Sequence, residues 1–310
     1  MNEIYDIIII GGGPGGLTAG IYAKRAGLKT LLLEKFILGG QVNLASTIEN
    51  YPGFPEGIKG SQLVDNLIQQ VKNFDLEILY KEVNNIEKQQ NENIFKVYTV
   101  DNIIFLTKSV IIATGTIHKK LNLINEEKLI GAGISFCATC DAPFYKDKIV
   151  CVVGGGDTAL TEALYLTKFA QKVYIIHRRD EFRGTKILQD RVLNNKKIEL
   201  LLNSIVTEII GDDKLKKIVL KNVKTEEKKE LECNGMFIGI GFKPNTDFLK
   251  NKIWLDSNGY ILTDENMQTS LKGIYACGDC RKNVLKQIIT TCAEAAISVI
   301  SCKNYIEQIK

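Results

Sequence analysis

The sequence predicts an α/β protein. It should contain two Rossmann-like three-layer dinucleotide-binding domains with β-meander crossovers, the second inserted into the first. Three observations lead there. A unit of strand, glycine-rich turn, helix and second strand occurs twice, at an offset of 143 residues. A polar, strand-rich stretch follows each copy. The C-terminal tail is too short to be a third domain and carries a strand and a helix that the first domain lacks.

In the first copy an apolar strand over 4–10 runs into Gly11-Gly12-Gly13-Pro14-Gly15-Gly16, then a helix over 17–26. A second strand over 29–33 ends at Glu34. In the second copy a strand over 148–153 meets Gly154-Gly155-Gly156-Asp157-Thr158-Ala159, then a helix to about 168. Its second strand, 173–176, ends at His177-Arg178-Arg179, with Arg183 four residues on. Each element has a physical task. Gly11 and Gly154 make the tight turn. Gly13 and Gly156 let backbone approach a pyrophosphate. Gly16 and Ala159 must be small so that the helix packs on the strand. The helix N-terminus then presents free N–H groups to phosphate. The strand ends differ in charge. Glu34 suits free ribose hydroxyls and repels phosphate, whereas the His177-Arg178-Arg179 cluster with Arg183 suits a 2′-phosphate. The first site is therefore expected to hold FAD and the second NADPH.

The meanders are expected over 84–107 and 204–233, split by the turn signals Asn91-Glu92-Asn93 and Gly211-Asp212-Asp213. Each returns to a strand ending in glycine, 109–115 (SVIIATG) and 236–241 (MFIGIG). In the tail, 273–279 (GIYACGD) reads as a strand ending at Gly278-Asp279, followed by a long helix over 285–300; together they complete the first sheet. The FAD-binding domain is then 1–116 with 246–310, and the NADPH-binding domain is 117–245. The chain crosses near Thr114-Gly115-Thr116 and over 241–246. Glycines 115 and 241 suit a hinge there, because nicotinamide and a redox disulfide must both reach one flavin.

Composition excludes other classes. Hydrophobic residues are 45% and charged residues 25% of 310, with a net charge of +4, which provides no basic excess for a nucleic-acid partner. No segment approaches the length of apolar sequence that spans a membrane. The N-terminus enters a strand too early for a secretory signal, so a cytoplasmic location is the default expectation. Eight cysteines are too sparse for a disulfide scaffold.

Cys137-Ala138-Thr139-Cys140 is followed by Asp141 and lies just before the second domain's first strand. Thiols at this spacing close and reopen a small ring by exchange, and a neighbouring carboxylic acid handles the proton. Two bland alternatives stand beside this: buried free thiols, or half a zinc site completed by Cys277-Gly278-Asp279-Cys280. Zinc is left without a task by the two cofactor motifs, so no metal is expected. Gly278-Asp279 is better placed for flavin contacts. Cys277 and Cys280 read as packing residues, as do Cys151 and Cys233 in strands and Cys292 and Cys302 in the last helix. His118 is expected to be exposed in a polar turn, and Trp254 to be a packing residue.

These motifs, spread over essentially the whole chain, resemble those of low-molecular-weight, bacterial-type thioredoxin reductases, in class II of the pyridine nucleotide-disulfide oxidoreductases. The matching residues are the two glycine turns, Gly39-Gly40-Gln41, 49–53 (ENYPG), Ala113-Thr114-Gly115, 137–141 (CATCD), 177–183 (HRRDEFR), Pro244-Asn245, and Gly278-Asp279 with Lys286-Gln287. The resemblance implies a homodimer. It implies FAD held by 11–16, by Glu34 with Gly39, Gly40 and Gln41, by Asn50, by Thr114 and Gly115, and by Gly278, Asp279, Lys286, Gln287 and Ile288. It also implies a redox disulfide Cys137–Cys140 with Asp141 as acid–base residue, and thioredoxin as substrate. Three positions depart from the family pattern: Lys286 replaces the usual arginine, Cys277 and Cys280 replace small or branched apolar residues, and Ala142 replaces a frequent glycine. A same-fold reductase of another disulfide, or a non-enzymatic redox-sensing flavin module, are the rival readings.

Overall fold

Each glycine-rich turn of the sequence joins a buried strand to a helix in the computed structural model, which describes residues 3–45, 47–89 and 92–309. The chain runs β1 (Ile4–Ile10), α1 (Pro14–Arg25), β2 (Thr30–Glu34), α2 (Gly60–Lys72), β3 (Glu77–Tyr80), β4 (Val83–Lys88), β5 (Phe95–Thr99), β6 (Ile104–Ile112) and β7 (Thr116–His118). It continues through α3 (Glu126–Leu129), β8 (Ile134–Ser135), α4 (Ala138–Asp141), β9 (Ile149–Val153), α5 (Asp157–Leu166), β10 (Lys172–Ile176), α6 (Lys186–Leu193) and β11 (Ile198–Leu201). Then come β12 (Ser204–Gly211), β13 (Leu215–Asn222), β14 (Lys228–Glu232), β15 (Gly235–Ile238), β16 (Phe242–Pro244), β17 (Ile274–Ala276) and α7 (Ile288–Gln308). The chain divides into two units, 1–117 with 243–310, and 118–242.

In the first unit β3, β2, β1, β6 and β17 lie side by side and parallel. Side chains alternate across this sheet. Ile7, Ile9, Leu32 and Ile111 pack against Leu17 and Ala19 of α1 and Val299 of α7. Ile8, Ile10, Leu31, Leu33 and Val110 pack on the other side with Phe95, Val97 and Ile86 of the meander. Both faces are covered, which is why these strands read as unbroken apolar runs.

The second unit repeats the plan. Strands β11, β10, β9, β15 and β8 form a parallel sheet. Val150, Val152, Val173 and Ile175 face Ala159, Leu160 and Ala163 of α5, while Cys151, Val153, Met236 and Ile238 face Val206, Ile218 and Leu220 of the meander.

Several expectations need correction. The strands read at 109–115 and 236–241 end at Ile112 and Ile238. In the first unit the meander is not separate: β6 pairs antiparallel with β5 through Thr107 and parallel with β17 from Val110. In the second unit Cys233 and Asn234 break the chain between β14 and β15, so β12–β13–β14 form their own sheet and Cys233 lies outside a strand. Helix α1 begins at Pro14, since proline suits the first helical position. Helix α7 begins at Ile288 and runs to Gln308, later and longer than 285–300. Gln287 and Thr290 form its capping box, and Cys302, Tyr305 and Ile306 keep a buried face beyond residue 300. His118 is half-buried on β7, with Phe136 at 5.3 Å and Phe242 at 4.7 Å between ring centroids, and burial pushes its pKa down. Trp254 is 72% exposed. Asn91 of the expected turn lies outside the described residues.

One buried acid sets a pH dependence. Glu162 on α5 has its Oε2 closed off from solvent with no hydrogen-bond partner among the described residues. Burial pushes this carboxyl up to about 7, opposed only by a hydrogen bond from the Ala138 N–H. An acid whose folded pKa lies above its unfolded value favours the fold at low pH and loses that contribution as pH rises through the folded pKa. Stability should therefore fall between about pH 4.5 and pH 7. Glu162→Gln keeps the shape and cannot ionise. We expect it to exceed the natural protein in stability by roughly 3 kcal/mol above pH 7 and to match it near pH 4. Denaturant melts at pH 4 and pH 8 check this; equal stability at pH 8 would show that the carboxylate is not trapped.

Candidate dinucleotide and dithiol sites

The glycines of the first turn are demanded by two different things. Gly11 has φ +107°, and a Cβ there would lie 2.4 Å from the Ala113 carbonyl oxygen. A Cβ on Gly16 would lie 1.8 Å from the Gly11 oxygen. Those two are required by the fold. Gly13 is not: its φ is −71°, and a Cβ would meet nothing within 4 Å. Gly156 is the same, with φ −100° and open space beside it. Where the protein leaves room for a side chain at the mouth of a helix, the glycine fits close approach of a ligand phosphate.

A cavity of about 280 Å³ opens at the first turn. Gly11, Gly13, Pro14, Gly15, Glu34, Gly40, Gln41, Thr114, Gly115, Gly278, Asp279, Lys286, Gln287 and Ile288 line it, as the sequence reading expects of an FAD site. Gly16, Gly39 and Asn50 do not. Gly39 has φ +94° and its Cβ would strike Val64, so it is structural. Asn50 stands behind the lining, donating to Gln287 Oε1 at 2.9 Å. Gly12, within the expected 11–16, lines it too, whereas the reading missed Val42, Ala113, Thr116, Cys277 and Thr291. Ala113 belongs to a quoted motif, and Val42, Thr116 and Cys277 each adjoin one, so these could have been found; Thr291 arrives only through folding.

Glu34 is held ready for a hydroxyl-bearing ligand. Its Oε2 accepts from the Gly12 N–H at 2.6 Å and its Oε1 from the Phe36 N–H at 2.8 Å. Each oxygen keeps a free lone pair that could accept from a ligand hydroxyl. A second cavity of about 260 Å³ shares Gly11, Glu34 and Thr114 and extends to Glu82 and Asn84. Gln41 donates to the Thr116 carbonyl at 2.5 Å, and Lys286 to the Asp279 carbonyl at 2.6 Å. Burial pushes the Asp279 carboxyl up.

In the second unit a cavity of about 330 Å³ is lined by Gly154, Gly155, His177, Arg178 and Arg183, with Lys119, Gly239 and Ile240, which the sequence reading missed. Arg179, Gly156, Asp157 and Thr158 lie outside its lining. Asp157 Oδ1 accepts from the Thr185 N–H at 2.6 Å, tying the start of α5 to that of α6. His177 has a different part from the arginines. It is 5% exposed, its ring fills the space over Gly155, and it meets the Glu181 carbonyl at 3.1 Å. Burial pushes its pKa down, so it contributes no positive charge at neutral pH. The exposed guanidiniums of Arg178, Arg179 and Arg183 carry that charge. Among the described residues none of the three has an ion-pair or hydrogen-bond partner; the neighbouring Asp180 pairs with Lys224 at 2.7 Å instead.

The dithiol pair sits at the start of α4. Cys137 and Cys140 form a disulfide, with their Cα atoms 5.4 Å apart. Cys137 is the extended residue before the helical turn, and its Sγ accepts from the Cys140 N–H at 3.2 Å. Cys137 is half-buried, Cys140 exposed and Asp141 half-buried. The other six cysteines are free, and only Cys292 is more than marginally accessible. Burial pushes the thiols of Cys151, Cys277, Cys280, Cys292 and Cys302 up, Cys280 to about 11. A thiol so raised is a poor nucleophile, which leaves one reactive pair.

Comparison with known proteins agrees with this arrangement. The family pattern "Pyridine nucleotide-disulphide oxidoreductase" matches residues 5–295. The chain is 40% identical to the thioredoxin reductase of Peptoclostridium acidaminophilum, over 99% of this chain and 98% of that one. It is 41% identical to the thioredoxin reductase of Listeria monocytogenes, over 100% of this chain and 96% of that one. The crystal structure of Lactococcus lactis thioredoxin reductase (FR conformation) superimposes with a TM-score of 0.91 at 41% identity, covering 98% of this chain and 99% of that one. Two phosphate-ready glycine turns, a dithiol pair in the second unit and similarity along the whole length lead to one conclusion: the chain belongs to the pyridine nucleotide-disulphide oxidoreductase family.

Proposed function

We propose that the chain is an NADPH-dependent thioredoxin-disulfide reductase that uses FAD. The observation that carries this is the Cys137–Cys140 disulfide, the one accessible cysteine pair, in the unit whose cavity is lined by Arg178 and Arg183 with Arg179 beside them. Bound FAD and NADPH supply the hydride and two-electron chemistry, which no side chain here can provide. The first unit's cavity, with Glu34 and open backbone at Gly13, suits FAD. The second unit's, with Arg178, Arg179 and Arg183, suits the 2′-phosphate of NADPH.

The chain's own residues complete the reaction by exchange. In the reduced state one of the Cys137 and Cys140 thiolates attacks a sulfur of the thioredoxin disulfide. A mixed disulfide forms and a thioredoxin thiolate leaves. The second cysteine then attacks the mixed disulfide, the Cys137–Cys140 bond re-forms, and thioredoxin departs with both electrons and two protons. Asp141, next to Cys140, holds and returns a proton during this exchange.

The protein acts as a homodimer in the cytoplasm. Supporting the dimer, α7 carries an exposed apolar stripe of Ile289, Ile297 and Ile300, and Tyr22 on α1 is also 44% exposed. Supporting a location away from membranes, no helix among the described residues is long and apolar enough to cross one.

Three experiments test this reading. Cys137→Ser and Cys140→Ser should each abolish NADPH-dependent reduction of thioredoxin while the protein keeps its fold and FAD. NADPH consumption with a panel of disulfides measures it. Strong turnover by either variant would exclude the exchange mechanism, and turnover of the natural protein only with another disulfide would change the substrate.

Arg178→Ala with Arg179→Ala should lower kcat/KM for NADPH at least tenfold and leave NADH nearly unchanged. Each hydrogen bond to a charged group contributes about 1.5–3 kcal/mol, a factor of roughly 10 to 150. Kinetics at matched ionic strength decide it; an unchanged NADPH-to-NADH preference contradicts the phosphate assignment.

The two kinds of glycine should separate cleanly. Gly13→Ala should leave the apoprotein within about 1 kcal/mol of its natural stability, since no atom opposes the new methyl, yet weaken FAD binding at least tenfold. Gly16→Ala should prevent folding of the first unit. Apoprotein melts and FAD titration check both, and tight FAD binding by Gly13→Ala would show that no phosphate approaches there.

A further inference from the structure

Sixteen ion pairs join described side chains, and in fifteen of them both side chains are at least a fifth exposed, where solvent screens the attraction. The exception is Arg281 with Glu294, at 2.6 Å and with side chains 12% and 11% exposed. A buried ion pair is weak evidence of stabilisation, because desolvation offsets attraction. Its placement asks for another explanation.

Glu294 lies on α7 with its carboxylate against the turn that follows β17. Its Oε2 accepts from the Gly278 N–H at 2.7 Å. Its Oε1 accepts from Arg281 Nη1 at 2.6 Å and from Asn283 Nδ2 at 3.4 Å. Arg281 is fixed in turn: its Nε and Nη2 donate to Thr263 Oγ1 at 2.9 and 2.8 Å, and its backbone N–H to the Gly278 carbonyl at 3.1 Å. Gly278 has φ +75°, and a Cβ there would lie 2.9 Å from Thr291 of the same helix. The turn is thus left-handed and pressed against α7. Lys286 grips its other end through the Asp279 carbonyl.

Gly278 and Asp279 line the first unit's cavity; Glu294 and Arg281 do not. A carboxylate behind the lining holds the backbone of the lining. We infer that Glu294 is a positioning residue for the flavin: by bridging the Gly278 N–H and Arg281 it fixes the Gly278-Asp279 turn against bound FAD. This rests on the assignment of that cavity to FAD.

The test uses apoprotein titrated with FAD. Glu294→Gln is isosteric, but its single acceptor oxygen cannot serve both Gly278 and Arg281. We expect its Kd for FAD to rise about tenfold, as for loss of one charge-assisted hydrogen bond, and the FAD-saturated variant to show a shifted visible flavin band and midpoint potential. Glu294→Leu with Arg281→Met removes both charges and leaves no buried unpaired ion. If the carboxylate positions the turn, this double variant folds as an apoprotein yet still binds FAD weakly with a shifted band. Natural affinity, band and potential in either variant would overturn the inference, leaving the pair only a staple between helix and tail. Failure of the natural apoprotein to bind FAD would instead sink the cavity's assignment, a different result from the same titration.

Discussion

The structure depends on how closely a helix can cross a strand end. In the first unit α1 rises so near the end of β1 that a single methyl on Gly16 would overlap the Gly11 carbonyl oxygen, at 1.8 Å. In the second unit the corresponding residue, Ala159, does carry a methyl. Beside it Gly239 follows β15 where Ala113 follows β6, and a Cβ on Gly239 would lie 3.1 Å from Ala159. The second crossing places its methyl on the helix and omits it from the strand. Because the helices start this close to the sheet, their first N–H groups reach the cavity at the strand ends, where phosphate binds in such folds.

The same scaffold then gives two pockets of opposite charge by changing one position. Glu34 ends β2 and His177 directly follows β10, and both pack on the middle glycine of their turn: a Cβ on Gly12 would meet Glu34, and one on Gly155 would meet the His177 ring. The glutamate is anchored by the Gly12 N–H. The histidine is buried and its pKa falls, so it acts as a spacer that delivers the chain into Arg178 and Arg179. The acidic side chain thus sits on the last residue of β2 in one unit, and the basic ones begin at the second residue after β10 in the other.

Much of this was legible in the sequence, and what was not has identifiable causes. Strand β1 and the ends of β2 and β10 were readable because apolar runs stop at residues with one chemical task. The lining of the first cavity was largely readable because it is built from motif residues. The continuity of β6 was not, since Thr107-Lys108-Ser109 looks like a polar break; in the fold Thr107 and Ser109 are buried, and the Thr107 hydroxyl donates to the Ser109 carbonyl at 2.8 Å. His118 looked polar in one dimension, but two phenylalanines distant in sequence half-bury it. The part of Glu294 was invisible because nothing in a helical stretch announces that one carboxylate will meet a backbone N–H sixteen residues earlier.

The cysteines show where sequence spacing stops being informative. Cys137 and Cys277 each begin a Cys-x-x-Cys, and each is the extended residue before a short helical turn, with φ −146° and −139°. Spacing and local backbone are nearly the same. The surroundings differ. Cys140 is open to solvent, whereas Cys277 and Cys280 are 1% and 0% exposed, with Cys280 Sγ directed to the Cys277 carbonyl at 3.3 Å. A thiolate at the second pair would have to form in a buried site, where desolvation outweighs the pull of the neighbouring Arg281 and pushes both thiols up, so the pair is a poor starting point for exchange. Cys277 nevertheless lines the first cavity. An inert thiol there supplies apolar surface without offering a competing redox centre, and exchange is confined to the one pair that a protein disulfide can reach.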